Sequence, residues 1–68
     1  MNTDDDLVRM ANQISEGFAA YPAEEALRFM VRHLKDFWPV PLRDRLRRLA
    51  AQPDQRLTTL AKRAADQL

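Results

Sequence analysis

Apolar residues recur at steps of three and four along most of the chain, and prolines interrupt this pattern at three places. The period is that of amphipathic α-helices with one apolar face. Proline ends or starts a helix because it lacks the backbone donor and fixes φ. The pattern therefore predicts helices over residues of about 4–20, 23–37, 42–51 and 55–68.

The connection around Pro22 is very short, so the first two helices are predicted to form an antiparallel hairpin. The third helix follows the WPVP segment at residues 38–41, where two prolines predict a stiff, extended corner. We expect this helix to pack across the hairpin. The predicted fold is all-α: one small domain over residues 1–68, built as a bundle of three to four helices.

The start of the first helix carries a capping signal. Thr3 is followed three residues later by Asp6, which is an acidic form of the capping box. Gly17 lies near the other end of the same helix, where it costs about 1 kcal/mol relative to Ala. It either ends the helix early or lets another backbone come close. The fourth predicted helix has a small, alanine-rich stripe with two threonines at its start, and we expect it to be the least stable part.

A chain of 68 residues buries a modest core, so its stability alone is marginal. It has no Cys, which excludes disulfides and thiolate zinc sites. A single His excludes an ordinary histidine-based metal cluster. We therefore expect another protein surface to supply the missing support.

Charge is unevenly distributed along the sequence. Residues 1–34 hold three basic and six acidic side chains, whereas residues 35–68 hold eight and four. This asymmetry suggests an oriented contact. The N-terminus is acidic and is not followed by an apolar run, and no stretch has the roughly 20 apolar residues of a membrane span. The expected location is cytoplasmic.

The sequence offers little for catalysis. Ser15 and His33 are predicted on different helices, and no glycine-rich turn could form an oxyanion site. We interpret Ser15 as a residue of the helix surface and His33 as a partly buried packing residue. We therefore predict that the chain is not an enzyme and binds no cofactor or metal.

Two stretches are candidates for contact with a partner: RMANQI at residues 9–14 and the segment from His33 to Arg43. Phe37 and Trp38 are adjacent, so one ring is expected to pack inward and the other to lie near the surface. His33 shares a face with Phe37, and large aromatic side chains are favoured at binding hot spots. The predicted interface residues, from both stretches, are Met10, Asn12, Gln13, His33, Phe37, Trp38 and Arg43.

Two other functions are compatible with the pattern. The arginine-rich segment from Arg43 to Arg48 could bind nucleic acid, although Asp44 dilutes its charge and its cations surround the helix. A self-associating helical module is the other alternative, with homo-oligomers formed by the isolated chain. Steep salt dependence would identify the first, and light scattering the second.

The two stretches together resemble a known family. LVRMANQI at residues 7–14, Phe18 and Pro22 at the hairpin, and His33 followed by FWPVPLRDRL at residues 37–46 resemble the delta subunit of soluble, NAD-dependent, molybdenum-containing formate dehydrogenases. The resemblance covers about residues 7–49. This chain departs from the family pattern at two positions, with Val40 in place of a Pro and Leu42 in place of a Met.

The resemblance implies an accessory role. In that family the large subunits oxidise formate at a molybdopterin centre and pass electrons through iron–sulfur clusters and a flavin, FMN, to NAD. The delta chain binds none of these groups. It is expected to dock on the larger subunits and to support their assembly, cofactor loading or stability.

Overall fold

A computed structural model of the chain describes residues 3–53 and 56–68. Within these residues the fold is all-α, as predicted, with four helices and no strand. The structure is compact, with extents of 30 × 25 × 19 Å. The helices are α1 (Asp4–Phe18), α2 (Ala23–Phe37), α3 (Val40–Ala50) and α4 (Thr59–Asp66).

The hairpin of α1 and α2 follows the prediction closely. The bounds of α2 agree with the predicted ones. The predicted end of α1 at Ala20 is wrong by two residues, because the chain leaves the helix after Phe18 through tight turns. In one of these turns Tyr21 N–H donates to Phe18 O at 3.1 Å. Gly17 lies in the last helical turn, and apart from its chain neighbours and the adjacent backbone of α1 no described atom is within 4 Å of the place a Cβ would occupy.

The proline corner is shorter than predicted. Trp38 and Pro39 are extended, but α3 already begins at Val40, two residues before its predicted start. Pro41 therefore belongs to the first turn of α3, where a missing N–H costs no helical hydrogen bond. The carbonyl of Pro39 accepts from Leu42 N–H at 3.0 Å and starts the helix.

The fourth helix also differs from the prediction. Gln55, its predicted first residue, lies outside the described residues, and residues 56–58 are not helical. The helix begins at Thr59 because Thr58 is its N-cap and accepts from Ala61 N–H at 3.1 Å. Threonine is a good N-cap because its hydroxyl satisfies an otherwise unpaired helical donor.

Each of the four helices contacts the other three, and α4 packs most extensively against α2. The buried face of α4 consists of Ala61, Ala64 and Ala65. These small side chains allow the helix to approach the larger core residues of its neighbours closely. The fully buried large side chains are Leu7, Met30, Leu34 and Leu46.

The capping box of α1 is present as predicted. Asp6 N–H donates to Thr3 Oγ1 at 3.2 Å, and Thr3 N–H donates to Asp6 Oδ2 at 3.4 Å. Hydrogen bonding to the Thr3 side chain, and secondly to its backbone, lowers the pKa of Asp6, and Arg9 lowers it further. The ionised Asp6 thus stabilises the start of the helix.

This cap predicts a pH-dependent effect of Asp6→Asn. Because the folded-state pKa is lowered, the stabilisation is present above the unfolded pKa of about 3.9 and is lost as the pH falls through the folded value. Asp6→Asn should lower the thermal midpoint at pH 6, and the difference from the wild type should shrink below pH 4. Asp5→Asn is the matched control. Equal differences at pH 6 and pH 3 would contradict this account of the cap.

Candidate functional site

Five rings form a continuous strip on one side of the α1–α2 hairpin. This aromatic strip comprises Phe18, Tyr21, Phe29, His33 and Phe37. The shortest distances between ring centroids are 4.8 Å for His33–Phe37 and 5.0 Å for Tyr21–Phe29. The Phe18 ring is 6.0 Å from Phe29 and 6.1 Å from His33. It therefore joins the two ends of the strip.

The helical repeat explains this arrangement. Phe29, His33 and Phe37 follow one another at four-residue steps, so they form one row along α2. The antiparallel hairpin brings the end of α1 beside this row, and the turn after α1 places Tyr21 next to Phe29. The predicted proximity of His33 and Phe37 is confirmed by their ring contact.

Much of the strip is open to solvent. Phe37 is 73% exposed, Tyr21 49% and Phe29 40%. Buried aromatic side chains normally contribute to a core, and a continuous exposed apolar surface usually marks an interaction site. The strip is therefore the best candidate for a functional surface among the described residues.

The strip includes a shallow groove and a charged border. The groove has a volume of about 300 Å³ and lies between the rings of α2 and the end of α1. Arg32 and Asp36 line it and form an exposed ion pair, with 3.6 Å between Arg32 Nε and Asp36 Oδ2. An exposed pair of this kind contributes little to stability, so both groups can exchange partners at low cost.

One of the two adjacent rings packs inward and the other lies at the surface, as expected. Trp38 is half-buried and packs against the core, whereas Phe37 is the exposed ring. The reason is register, because Trp38 lies four residues after the buried Leu34 and continues the core face of α2. A substitution of Trp38 would therefore disturb packing as well as any contact with a partner.

The other candidate interface residues lie at different places. Met10 is half-buried and Gln13 is exposed, both on α1. Arg43 is half-buried on α3, and its Nε atom is buried without a hydrogen-bond partner in the described part of the chain. A contact of each with a partner stays a prediction.

Asn12 has an internal role that the sequence did not reveal. Its Nδ2 donates to the Arg56 carbonyl at 2.8 Å, and its Oδ1 accepts from Thr58 N–H at 2.9 Å. Both ends of the amide thus bind the segment that leads into α4. Asn12 fixes the start of α4 against α1, and a further contact with a partner stays a prediction.

We expect Asn12→Ala to reduce the free energy of unfolding by about 1–3 kcal/mol, because the part-buried Thr58 N–H would lose its acceptor. Gln13→Ala, at the exposed neighbouring position, should change it by less than about 0.5 kcal/mol. Urea unfolding followed by circular dichroism measures both. If the two variants proved equally stable, the amide contacts would contribute nothing.

Ser15 is buried, and its interpretation as a surface residue is wrong. Its hydroxyl donates to the Asn12 carbonyl at 2.9 Å and lies 2.8 Å from Thr58 Oγ1. Burial is tolerated because these partners satisfy the hydroxyl. His33 contacts the rings of Phe18 and Phe37 instead. The contacts of Ser15 and His33 are therefore structural and are made to different residues.

The described residues form neither a metal-binding cluster nor a membrane-spanning helix. No group of three or more His, Cys, Asp or Glu side chains in residues 3–53 and 56–68 could hold a metal ion. In the same ranges, no helix has the length and apolar character needed to cross a bilayer.

Sequence reasoning missed Phe29 and Tyr21 as members of the strip. Phe29 falls outside the core stripe of α2, and Tyr21 lies in the turn that follows α1. The signal was present in the spacing, since Phe29, His33 and Phe37 repeat at four-residue steps. Their link to Tyr21 depends on how the two helices pack, which spacing alone does not define.

An all-helical fold in which the exposed aromatic side chains of the described residues form one strip is typical of a small protein that acts by binding another macromolecule. The family described as NADH-dependent formate dehydrogenase delta subunit FdsD matches residues 6–65, and the chain belongs to this family. The match confirms the resemblance and extends it beyond residue 49 into α4. No curated protein and no solved structure matches the chain.

Proposed function

We propose that this chain is a non-catalytic accessory subunit that docks on the larger subunits of a cytoplasmic NAD-dependent formate dehydrogenase through its aromatic strip. There it supports their assembly, cofactor loading or stability. The family match supports the association with such a complex. The exposure of Phe37, at 73%, is the observation that favours the strip as the docking surface.

The electrostatic pattern supports a protein partner rather than nucleic acid. Two arginines of α3 already have acidic partners: Arg45 Nη2 is 2.8 Å from Asp4 Oδ1, and Arg47 Nη2 is 3.7 Å from Asp44 Oδ1. Phosphate binding is favoured by a dense cluster of cations, and these two carboxylates dilute the positive charge of α3. The strip, in contrast, offers rings of the kind found at the centre of protein interfaces.

The contacts of Ser15 and His33 also support a non-catalytic role. Ser15 is held by Asn12 and Thr58, and His33 by aromatic rings, so neither is paired with a group that would activate it. In this proposal the redox groups that the family resemblance implies, molybdopterin, iron–sulfur clusters and FMN, belong to the larger subunits. In this proposal the chain contributes a docking surface to the complex and no redox group.

Co-expression tests the proposal. The larger subunits are purified with and without this chain, and their assembly state, molybdenum content and formate-dependent NAD reduction are measured. We expect a lower yield of active complex without the chain and recovery when it is supplied. Full assembly and activity in its absence, or formate oxidation by the purified chain alone, would contradict the proposal.

A further inference from the structure

Arg43 differs from the other arginines of the described chain in its surroundings. It is half-buried on α3, and its Nε atom is buried without a hydrogen-bond partner among the described residues. No ion pair within residues 3–53 and 56–68 involves it. Arg45, the other half-buried arginine, is held by Asp4, with 2.8 Å between Arg45 Nη2 and Asp4 Oδ1. In the described part of the chain, Arg43 is therefore the half-buried arginine that lacks an acidic partner.

The burial of the Arg43 Nε atom makes this lack significant. An exposed arginine such as Arg48 on the same helix has its donors satisfied by water. A buried donor without an acceptor has lost its water and gained nothing in return, so nearly all buried polar groups in proteins are paired. A guanidinium has five N–H donors and no acceptor. The unpaired Nε atom therefore indicates an anionic group that the free chain does not supply.

Arg43 lies one helical turn after the corner that follows α2. Its N–H donates to the Pro39 carbonyl at 3.1 Å, and Leu46, three residues later, is fully buried. The side chain thus starts at the border between the core and the surface. Phe37, which is 73% exposed, is the last residue of α2 on the other side of the same corner. One partner surface can therefore cover Phe37 and reach Arg43.

We propose that Arg43 binds a carboxylate of a larger formate dehydrogenase subunit when the chain docks. This inference rests on the proposed function and adds a polar contact to the aromatic strip. A carboxylate accepts two parallel hydrogen bonds from one guanidinium, and such a charged pair is stronger than a neutral hydrogen bond. The Nε atom has no hydrogen bond to lose, so the side chain can turn outward on docking and present its Nε edge at low cost.

The charges of α3 favour a carboxylate over the phosphates of a nucleic acid. Arg45 is paired with Asp4, and Arg47 lies 3.7 Å from the carboxylate of Asp44, the residue next to Arg43. The helix therefore presents separated charges and not a dense row of cations. Nucleic acids carry a row of phosphates and are bound by many cations together. A single unpaired guanidinium matches a single carboxylate in charge and in shape.

Arg43→Met removes the donors and the charge but keeps most of the apolar stem. Because it also removes an unpaired buried donor, the variant should unfold at the same temperature as the wild type or higher. We expect its dissociation constant with the purified larger subunits to rise by about tenfold or more. Arg48→Met, at an exposed position of the same helix, is the matched control and should bind like the wild type. Isothermal titration calorimetry and thermal unfolding followed by circular dichroism give the two quantities.

A crosslinking experiment identifies the acidic group. Arg43→Lys keeps the charge but loses the planar arrangement of donors, so it should bind more weakly than the wild type. A carbodiimide joins a lysine amine directly to a carboxylate in contact with it. With the larger subunits at saturating concentration, we expect a crosslink from position 43 to an Asp or Glu of a larger subunit, located by mass spectrometry. Arg48→Lys is the control and should give no crosslink at position 48.

Each other outcome contradicts a specific statement. If the wild type does not bind the larger subunits, the proposed function itself is wrong. If Phe37→Ala weakens binding while Arg43→Met does not, docking through the strip holds and the carboxylate contact is wrong. If Arg43→Met unfolds at a lower temperature, or if position 43 crosslinks only to carboxylates of its own chain, the guanidinium is paired internally and the inference fails. Binding of a labelled DNA duplex that Arg43→Met abolishes would make nucleic acid the partner and overturn it.

Discussion

Replacing Phe37 by Ala should weaken association with the larger formate dehydrogenase subunits by about 2 kcal/mol or more, which is roughly 30-fold in the dissociation constant. Phe37 is 73% exposed in the free chain, so its ring is the strip residue with the most surface to bury on docking. A large aromatic ring that becomes fully buried in an interface often dominates the binding energy.

The same substitution should leave the fold almost unchanged. Exposed side chains away from caps and buried networks usually alter the free energy of unfolding by less than about 0.5 kcal/mol. Val40→Ala is a suitable control, because Val40 is 55% exposed and apolar but is not part of the strip. Isothermal titration calorimetry gives the affinities, and urea unfolding gives the stabilities. Wild-type affinity of Phe37→Ala would exclude this ring from the interface.

Replacing Leu34 by Ala should mainly lower the free energy of unfolding, whereas Phe37→Ala should mainly lower the binding affinity. Leu34 is fully buried in the core, and removing such a side chain costs about 2–5 kcal/mol because a cavity is left. A chain of 68 residues has a free energy of unfolding on the order of 3–10 kcal/mol. The variant should therefore be partly unfolded in isolation at 37 °C.

Lys35→Ala, at the exposed next position, is the control for Leu34→Ala. It should unfold at nearly the wild-type urea concentration. A saturating partner stabilises the folded form by mass action, so adding the larger subunits should restore helix content to Leu34→Ala if they bind it. A Leu34→Ala variant with the unfolding midpoint of the wild type would contradict the assigned core.

The positions of the helices could be predicted from local signals in the sequence. The apolar period and Pro22 define α2 to the residue, and Thr3 with Asp6 marks the start of α1. These signals act within one turn of helix, so they do not depend on the rest of the fold. The prediction was weaker where one residue type has two uses: Pro41 was taken as part of the corner, and it lies in the first turn of α3.

The contacts between residues far apart in the sequence were harder to predict. Thr58 was interpreted as a weak helix residue, yet it caps α4 and binds Ser15, 43 residues away in the sequence. The amide of Asn12 meets Arg56 over a separation of 44 residues. Such pairings depend on how the helices pack. The candidate site was therefore predicted in part, with His33 and Phe37 identified and Phe29 missed.

The mutual contacts of the strip rings have a thermodynamic consequence. Each ring is already restrained by a neighbour, from Tyr21 through Phe29 and Phe18 to His33 and Phe37, and an aromatic side chain has few rotatable bonds. A preorganised surface loses little side-chain entropy when it is covered. Burial of the rings should give association a negative heat capacity change.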